Sequence, residues 1–193
     1  MARLSGSFSP AFARLAAASP VWAAAVVIGA VALIAWSAQI AIPMKPVPIT
    51  LQSYAVITLA ALLGWQLGGL AALAYVAMGA AGLGVFSKGQ SGLDMIAGPA
   101  GGFLIGFIVA AVVVGFLQQY WARLRILPLF GVLAIGHVVL MVMGAAWLAY
   151  LKGLTFAIDK ATLPFIPGAV VKTVAALATV LLVERLAGTP RGR

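Results

Sequence analysis

Charged residues are absent from long stretches of this chain. Residues 15–44, 46–87, 95–122 and 126–151 contain no Asp, Glu, Lys or Arg, and residues 161–183 contain only Lys172. About 20 apolar residues are enough for an α-helix to cross the hydrocarbon core of a membrane. Because 64% of its residues are hydrophobic, the chain is also too apolar for a soluble globular protein. The sequence therefore predicts an all-α integral membrane protein.

These stretches divide into six predicted transmembrane helices within a single domain, residues 1–193. As one helix, residues 46–87 would measure about 63 Å, so we expect the chain to fold back at Gly64-Trp65-Gln66. The predicted spans are residues 20–42, 48–63, 66–83, 98–119, 126–151 and 164–186, with short basic tails at 1–18 and 187–193. The second span is short, and we expect it to lie inside the bundle.

The basic residues predict the orientation, because loops rich in Lys and Arg stay in the cytoplasm. Six spans place both ends of the chain on the same side. That side would carry Arg3, Arg14, Arg123, Arg125, Arg185, Arg191 and Arg193, and the other side Lys45, Lys88, Lys152 and Lys160. We therefore expect both termini in the cytoplasm (N-in, C-in). Because the basic residues are dispersed among the spans, the net charge of +9 does not indicate nucleic-acid binding.

The unusual stretches all fall on the predicted outer side: "IPMKPVPITLQS", "GVFSKGQSGLDMIAGPAGGF" and "IDKATLPFIPGAVVKT". Functional residues often lie in the loops of a rigid scaffold, so this distribution favours a ligand-capture site that faces outward.

In the first stretch, Pro43, Pro46 and Pro48 favour an extended path, since each ring fixes its own φ and restricts the preceding residue. Thr50 and Gln52 follow where the second span begins. They would either cap that helix or, in the case of Gln52, turn the amide into a pocket as both donor and acceptor.

The second stretch is a long loop between two spans, and loops of this length often act as lids. Phe86 and Gln90 would close over a ligand, unless the segment is a plain surface loop. The glycines that follow, Gly98, Gly102 and Gly106, repeat every four residues and would lie on one helix face. They favour close helix packing, or else Gly101 and Gly102 leave a slot beside Phe103 for a flat ring. Both interpretations can hold along one helix.

In the third stretch, Pro167 suits the start of a helix and would leave the amides of Gly168, Ala169 and Val170 without intrahelical partners. Lys172 follows about one and a half turns later in apolar surroundings, where a cation is disfavoured. Either its side chain snorkels to the outer surface, or it receives the carboxylate of a ligand together with the free amides. We favour the second interpretation.

Two further features lie inside the predicted spans. His137 is near the middle of the fifth span, where an ionisable group is either a functional residue or a neutral imidazole bonded to a backbone carbonyl. Ala25 and Gly29 give the first span a smooth face, suited to another helix of this chain or to a partner subunit.

Three segments, "PVPITLQ", "GPAGGFLIGF" and "LPFIPGAVVK", resemble in this order and spacing the BioY family of biotin-specific S components of energy-coupling-factor (ECF) transporters. The similarity covers about residues 21–186. It implies an ECF S-component-like bundle of six helices in the cytoplasmic membrane of a prokaryote, with a high-affinity biotin pocket that opens outward. It also implies docking on a transmembrane coupling protein driven by two cytoplasmic ATPases. Ala25 and Gly29 match the small-residue face that mediates docking in such families.

With this resemblance, the predicted ligand-binding residues are Thr50, Gln52, Phe86, Gln90, Gly98, Gly101, Gly102, Phe103, Ala169 and Lys172. The fused rings of biotin would lie against Gly101, Gly102 and Phe103, and its carboxylate or ureido group near Lys172. Two positions differ from the family pattern, because Ala169 replaces the usual Asp and Ala100 the usual Thr.

The residue inventory argues against an enzyme. The chain has one His, no Cys and three acidic residues, without a nucleophile and base at a meaningful spacing. We expect no catalytic site, no metal and no cofactor apart from the transported ligand. Because a Walker-type loop is also missing, ATP hydrolysis would come from partner subunits. The alternative is a self-sufficient biotin or related vitamin carrier that acts without ATPases.

Overall fold

Helix is the main secondary structure in residues 19–122 and 125–188, the part of the chain that this computed structural model describes. The helices are α1 (Pro20–Gln39), α2 (Gln52–Ala80), α3 (Leu93–Ala97), α4 (Gly101–Leu117), α5 (Ile126–Lys152), α6 (Leu154–Ala157) and α7 (Ile166–Leu186). The expected tail 1–18, the end of the other tail and Arg123 lie outside the described residues.

The apolar helices confirm the predicted all-α membrane fold. Among the described residues, five helical segments are long and apolar enough to cross a membrane: Pro20–Gln39, Gln52–Ala80, Gly101–Ala122, Ile126–Lys152 and Leu154–Leu186. A count of six is compatible with these segments if the two arms of α2 are taken separately. The N-in, C-in orientation stays a prediction.

A break at Gly64 divides α2 into two arms. Its φ of 79° and ψ of 173° are not helical, and glycine adopts such a backbone without the steric cost of a side chain. Residues eight apart in a continuous helix are separated by about 12 Å. A Cβ atom added at Gly68, however, would lie 2.8 Å from the Cα of Ala60. The chain therefore folds back at the predicted position, and the first arm is largely buried inside the bundle, as expected.

Helix α4 lies directly against this break. A Cβ atom added at Gly115 would be 2.5 Å from the carbonyl carbon of Gly64 and 2.6 Å from the Cα of Trp65. One turn further, the Oε1 of Gln119 accepts a hydrogen bond from the Trp65 amide at 3.4 Å. Because both neighbours of Gly115 are backbone atoms, only a glycine lets the two segments approach this closely.

The proline-rich segment between α1 and α2 forms a small antiparallel hairpin. Its strands are β1 (Ala41–Ile42) and β2 (Ile49–Thr50), with Ala41 opposite Thr50 and Ile42 opposite Ile49. Pro43, Pro46 and Pro48 all lie in the turn at residues 43–48 and not in a strand, so the extended path expected for them is seen only in the residues that flank them. In the turn between the strands, Val47 is buried and packs in a cluster with Phe103 of α4, which anchors the hairpin to the helices.

Candidate functional site

A cavity lies toward one end of the bundle, where the three unusual stretches of the sequence meet. It has about 770 Å³ of empty space, its open mouth included. The β1–β2 turn, residues 83–92 (here called the 83–92 loop) and parts of α2, α4, α5 and α7 form its walls. Mostly apolar walls with a few polar groups are typical of small-molecule sites.

Most of the predicted binding residues line this cavity. Those at its wall are Thr50, Gln52, Phe86, Gln90, Phe103, Ala169 and Lys172, whereas Gly98, Gly101 and Gly102 are not among its lining residues. The structure thus brings together residues up to 122 positions apart in the sequence. Their contact with a ligand stays a prediction.

Gly98, Gly101 and Gly102 pack against α3 and α5 and do not line the cavity. A Cβ atom added at Gly102 would lie 2.5 Å from the Met143 carbonyl oxygen, and one at Gly101 would lie 3.1 Å from Nε1 of Trp147. The same Trp147 Nε1 donates a hydrogen bond to the Gly98 carbonyl oxygen at 2.9 Å. The atoms nearest to a Cβ added at Gly98 and at Gly101 are carbonyl oxygens of α3, those of Asp94, at 2.8 Å, and of Ile96, respectively. Because α3 and α5 fill the space beside these glycines, the structure favours close packing over the predicted slot for a flat ring.

Lys172 is held at the cavity wall by the segment that leads into α2. Its Nζ donates to the Thr50 carbonyl oxygen at 2.5 Å and to the Ser53 hydroxyl at 3.0 Å. The snorkelling interpretation predicts that the ammonium group extends to the outer surface. In the structure it is instead bonded to two neutral groups of the protein. Because an ammonium group has three donors, one N–H remains for a ligand.

The expected helix start near Lys172 is also different in the structure. Pro167 is in the first turn of α7, as predicted, but helical turns precede it at Leu163–Phe165 and continue back to Leu154. The carbonyl of Ala169 accepts the hydroxyl of Thr173 at 2.8 Å. The amides after Pro167 therefore do not begin an isolated helix, and Lys172 is the main charged group at this wall.

Thr50 and Gln52 begin a chain of hydrogen bonds that runs through the first arm of α2. Thr50 Oγ1 donates to Gln52 Oε1 at 2.8 Å, and Gln52 Nε2 donates to the Tyr75 hydroxyl. Tyr75 in turn donates to the carbonyl oxygen of Val85 at 3.2 Å. The helix-cap interpretation is wrong, because Leu51 is the N-cap residue and no side chain caps α2. The amide of Gln52 instead joins the hairpin to the 83–92 loop.

Aromatic rings form two sides of the cavity. Phe103 and Phe165 are stacked with their ring centres 5.4 Å apart and their planes at 18°. Phe86 is buried, lies against Gly79 and meets the ring of Tyr75 edge-on at 5.6 Å. Since these rings are fixed by helix contacts, the apolar surface offered to a ligand is already formed.

Sequence analysis missed the role of Gln39, at the end of α1. Its Nε2 donates to the Phe86 carbonyl oxygen at 3.1 Å, and its Oε1 accepts from the Gly89 amide at 3.2 Å. A polar residue at the end of an apolar span was the only signal in the sequence. Through these bonds α1 holds the 83–92 loop over the cavity.

We expect the substitution Gln39→Ala to raise the hydrogen-exchange rate of residues 85–90 about tenfold. The reason is that two hydrogen bonds of about 0.5–1.5 kcal/mol each are lost, which lowers the free energy of local opening. Exchange mass spectrometry in detergent measures this rate, and Gln66→Ala is the matched control because Gln66 is exposed beside the break in α2. Unchanged exchange in the loop would contradict the proposed role of Gln39.

His137 has the backbone contact that one of the two interpretations predicts, and its functional role stays a prediction. Its Nδ1 lies 3.2 Å from the Leu133 carbonyl oxygen, as the backbone-bonded alternative predicts, and 2.9 Å from Thr173 Oγ1. It also lines the cavity.

On α1, Ala25 and Gly29 are exposed, and within the described residues no atom lies within 4 Å of a Cβ added at Gly29. This face is thus uncovered, and its role in docking stays a prediction.

Comparison with known proteins gives a consistent result. The model of the BioY family matches residues 11–189. The chain is 37% identical over 158 residues to a probable biotin transporter BioY of Pyrococcus horikoshii, covering 82% of this chain and 91% of that protein. It is 36% identical over 156 residues to the biotin transporter BioY of Thermotoga maritima, covering 80% and 91%.

A solved structure is also similar. It is the crystal structure of the S-component for biotin from an ECF-type ABC transporter, with a TM-score of 0.79 and 26% sequence identity. The match covers 86% of this chain and 92% of that chain.

Proposed function

Since the chain belongs to the BioY family, we propose that it is the membrane-embedded biotin-binding subunit, or S component, of an ECF-type transporter. The observation that carries this function is the cavity itself, in which Lys172 faces rigid aromatic walls inside a fold similar to the biotin S-component. The chain is a multi-pass membrane protein, and its role is uptake of biotin.

The chemistry of the cavity suits the parts of biotin. The sulfur-containing ring and the methylene groups of the valerate chain are apolar, and they would lie against Phe103, Phe165 and Phe86. Biotin also carries two oxygen acceptors, the carboxylate and the ureido oxygen, either of which can receive the remaining N–H of Lys172. A charge-assisted hydrogen bond of this kind is about twice as strong as a neutral one, so Lys172 would contribute much of the affinity.

The remaining features of transport depend on partners. We place the protein in the cytoplasmic membrane of a prokaryote, with the cavity open to the outside. Ala25 and Gly29 on the uncovered face of α1 would contact the transmembrane coupling protein, and ATPase subunits would supply the energy. The exposure of both residues supports this arrangement, since small residues let two membrane helices approach closely.

Calorimetry with the purified protein in detergent tests the binding function. We expect biotin to bind with one site per chain, and thiamine and riboflavin, at the same concentrations, to give no heat of binding. A wild-type protein that does not bind biotin in preference to thiamine and riboflavin would contradict the proposal.

Uptake measurements distinguish the two modes of transport. Cells that express the chain together with a coupling module should accumulate labelled biotin, and the uptake should fall when the ATPases are inactivated. Equal uptake in cells that lack any coupling module would favour the self-sufficient carrier instead. This result would leave the assignment of biotin unchanged.

A further inference from the structure

Two residues that line the cavity, Ser87 and His137, each have a buried side-chain polar atom without a hydrogen-bond partner among the described residues. His137 is 4% exposed, lines the cavity, and its Nε2 is buried without a hydrogen-bond partner among the described residues. Buried polar atoms are nearly always paired, because an unmade hydrogen bond costs about 1–3 kcal/mol. An exception at the wall of a binding cavity points to a ligand that supplies the missing partner.

The contacts of the other ring nitrogen decide what this partner must be. The Thr173 hydroxyl has a single hydrogen, which it donates to the Ala169 carbonyl oxygen at 2.8 Å. Toward His137 it can therefore only accept, as the Leu133 carbonyl oxygen also must. Both contacts require a hydrogen on Nδ1. In the neutral imidazole Nε2 is then a lone-pair acceptor, and its partner must be a donor.

Biotin has donors in only one place. Its carboxylate is ionised at neutral pH, its thioether sulfur only accepts, and its ureido group carries two N–H groups. We propose that His137 is a specificity-determining residue whose Nε2 accepts a hydrogen bond from a ureido N–H of the ligand. This inference rests on the proposed biotin-binding function and adds the orientation of the ligand, with the ureido ring at α5.

The neighbouring residues support this placement. Thr173 holds the imidazole from α7 and directly follows Lys172, and both His137 and Lys172 line the cavity. A ligand that offers only acceptors would leave Nε2 unpaired, and a buried group left unpaired on binding reduces affinity. The cavity therefore selects a ring that contains an amide-type N–H.

Two substitutions separate contact with the ligand from a purely structural role. In His137→Asn, the side-chain amide can replace Nδ1 toward Leu133 and Thr173 but does not reach the position of Nε2. In His137→Gln, the longer side chain places an acceptor oxygen near that position. We expect biotin to bind about tenfold more weakly to His137→Asn, the scale of one lost hydrogen bond, and with near wild-type affinity to His137→Gln.

Calorimetry of both variants, with thermal unfolding measured in parallel, gives the answer. Wild-type affinity in His137→Asn would overturn the inference, whether or not His137→Gln is weakened, and so would equal losses in the two variants. These outcomes concern only His137. A failure of the proposed function would appear earlier, as absent biotin binding by the wild-type protein.

Discussion

Replacing Lys172 by alanine is expected to weaken biotin binding about 30-fold, roughly 2 kcal/mol, the scale of a hydrogen bond to a charged group. The ammonium group is already fixed by Thr50 and Ser53, so the ligand gains its bond without ordering a flexible side chain. Calorimetry measures the effect. Lys172→Met, which keeps an apolar stem of similar length, should lose as much and would show that the charge is responsible.

The matched control is Lys152→Ala, because Lys152 is exposed at the end of α5 and does not line the cavity. Calorimetry with biotin methyl ester, in which the carboxylate is esterified, then shows which oxygen of biotin Lys172 contacts. If the carboxylate is the acceptor, the ester binds the wild type weakly and loses little more in Lys172→Ala. An equal loss for acid and ester assigns the ureido oxygen, and wild-type affinity in Lys172→Ala would contradict any contact.

The second large effect is expected from Gly115→Ala, at the contact between α4 and the break in α2. The added methyl group would overlap the backbone at Gly64 and Trp65, which cannot move aside like a flexible side chain. Overfilling a well-packed site typically costs about 1–3 kcal/mol. We therefore expect a lower midpoint of thermal unfolding, measured by the intrinsic fluorescence of the detergent-solubilised protein.

Gly131→Ala provides the comparison, because no described atom lies within 4 Å of the added Cβ atom. Both substitutions replace a glycine inside a membrane helix, and alanine has the higher helix propensity. The Gly131 variant should thus unfold at the wild-type temperature or above it. If the Gly115→Ala variant also unfolds at the wild-type temperature or above it, the close contact between α4 and α2 does not contribute to stability as described.

Much of the fold could be predicted because a membrane imposes simple limits on a sequence. A helix of the length of residues 46–87 cannot fit across the hydrocarbon core, so a reversal was required, and Gly64 was the residue able to make it. The burial of the first arm followed from its short length. Both limits follow from the lengths of apolar segments, which can be read directly from the sequence. The reversal and the burial of the first arm could therefore be predicted without a structure.

The directions of individual side chains could not be predicted in the same way. Gln52 bonds to Tyr75, which is 23 positions away, and Gly102 meets Trp147 on a different helix. For Lys172, the sequence indicated an unusual lysine near a ligand, but its partners Thr50 and Ser53 are about 120 positions away. Such contacts depend on how the helices rotate against each other, and the local pattern does not contain that information.

The position of Gln39 has a consequence for how binding and transport depend on each other. The residue belongs to α1, but its bonds hold the loop over the cavity, so opening the loop also releases the end of α1. A partner that displaces this end therefore favours the open loop. By thermodynamic reciprocity, if such a partner lowers the affinity of the protein for the ligand by some factor, the ligand lowers the affinity for the partner by the same factor. If docking of a partner displaces this end of α1, one side-chain amide would therefore make capture and docking oppose each other.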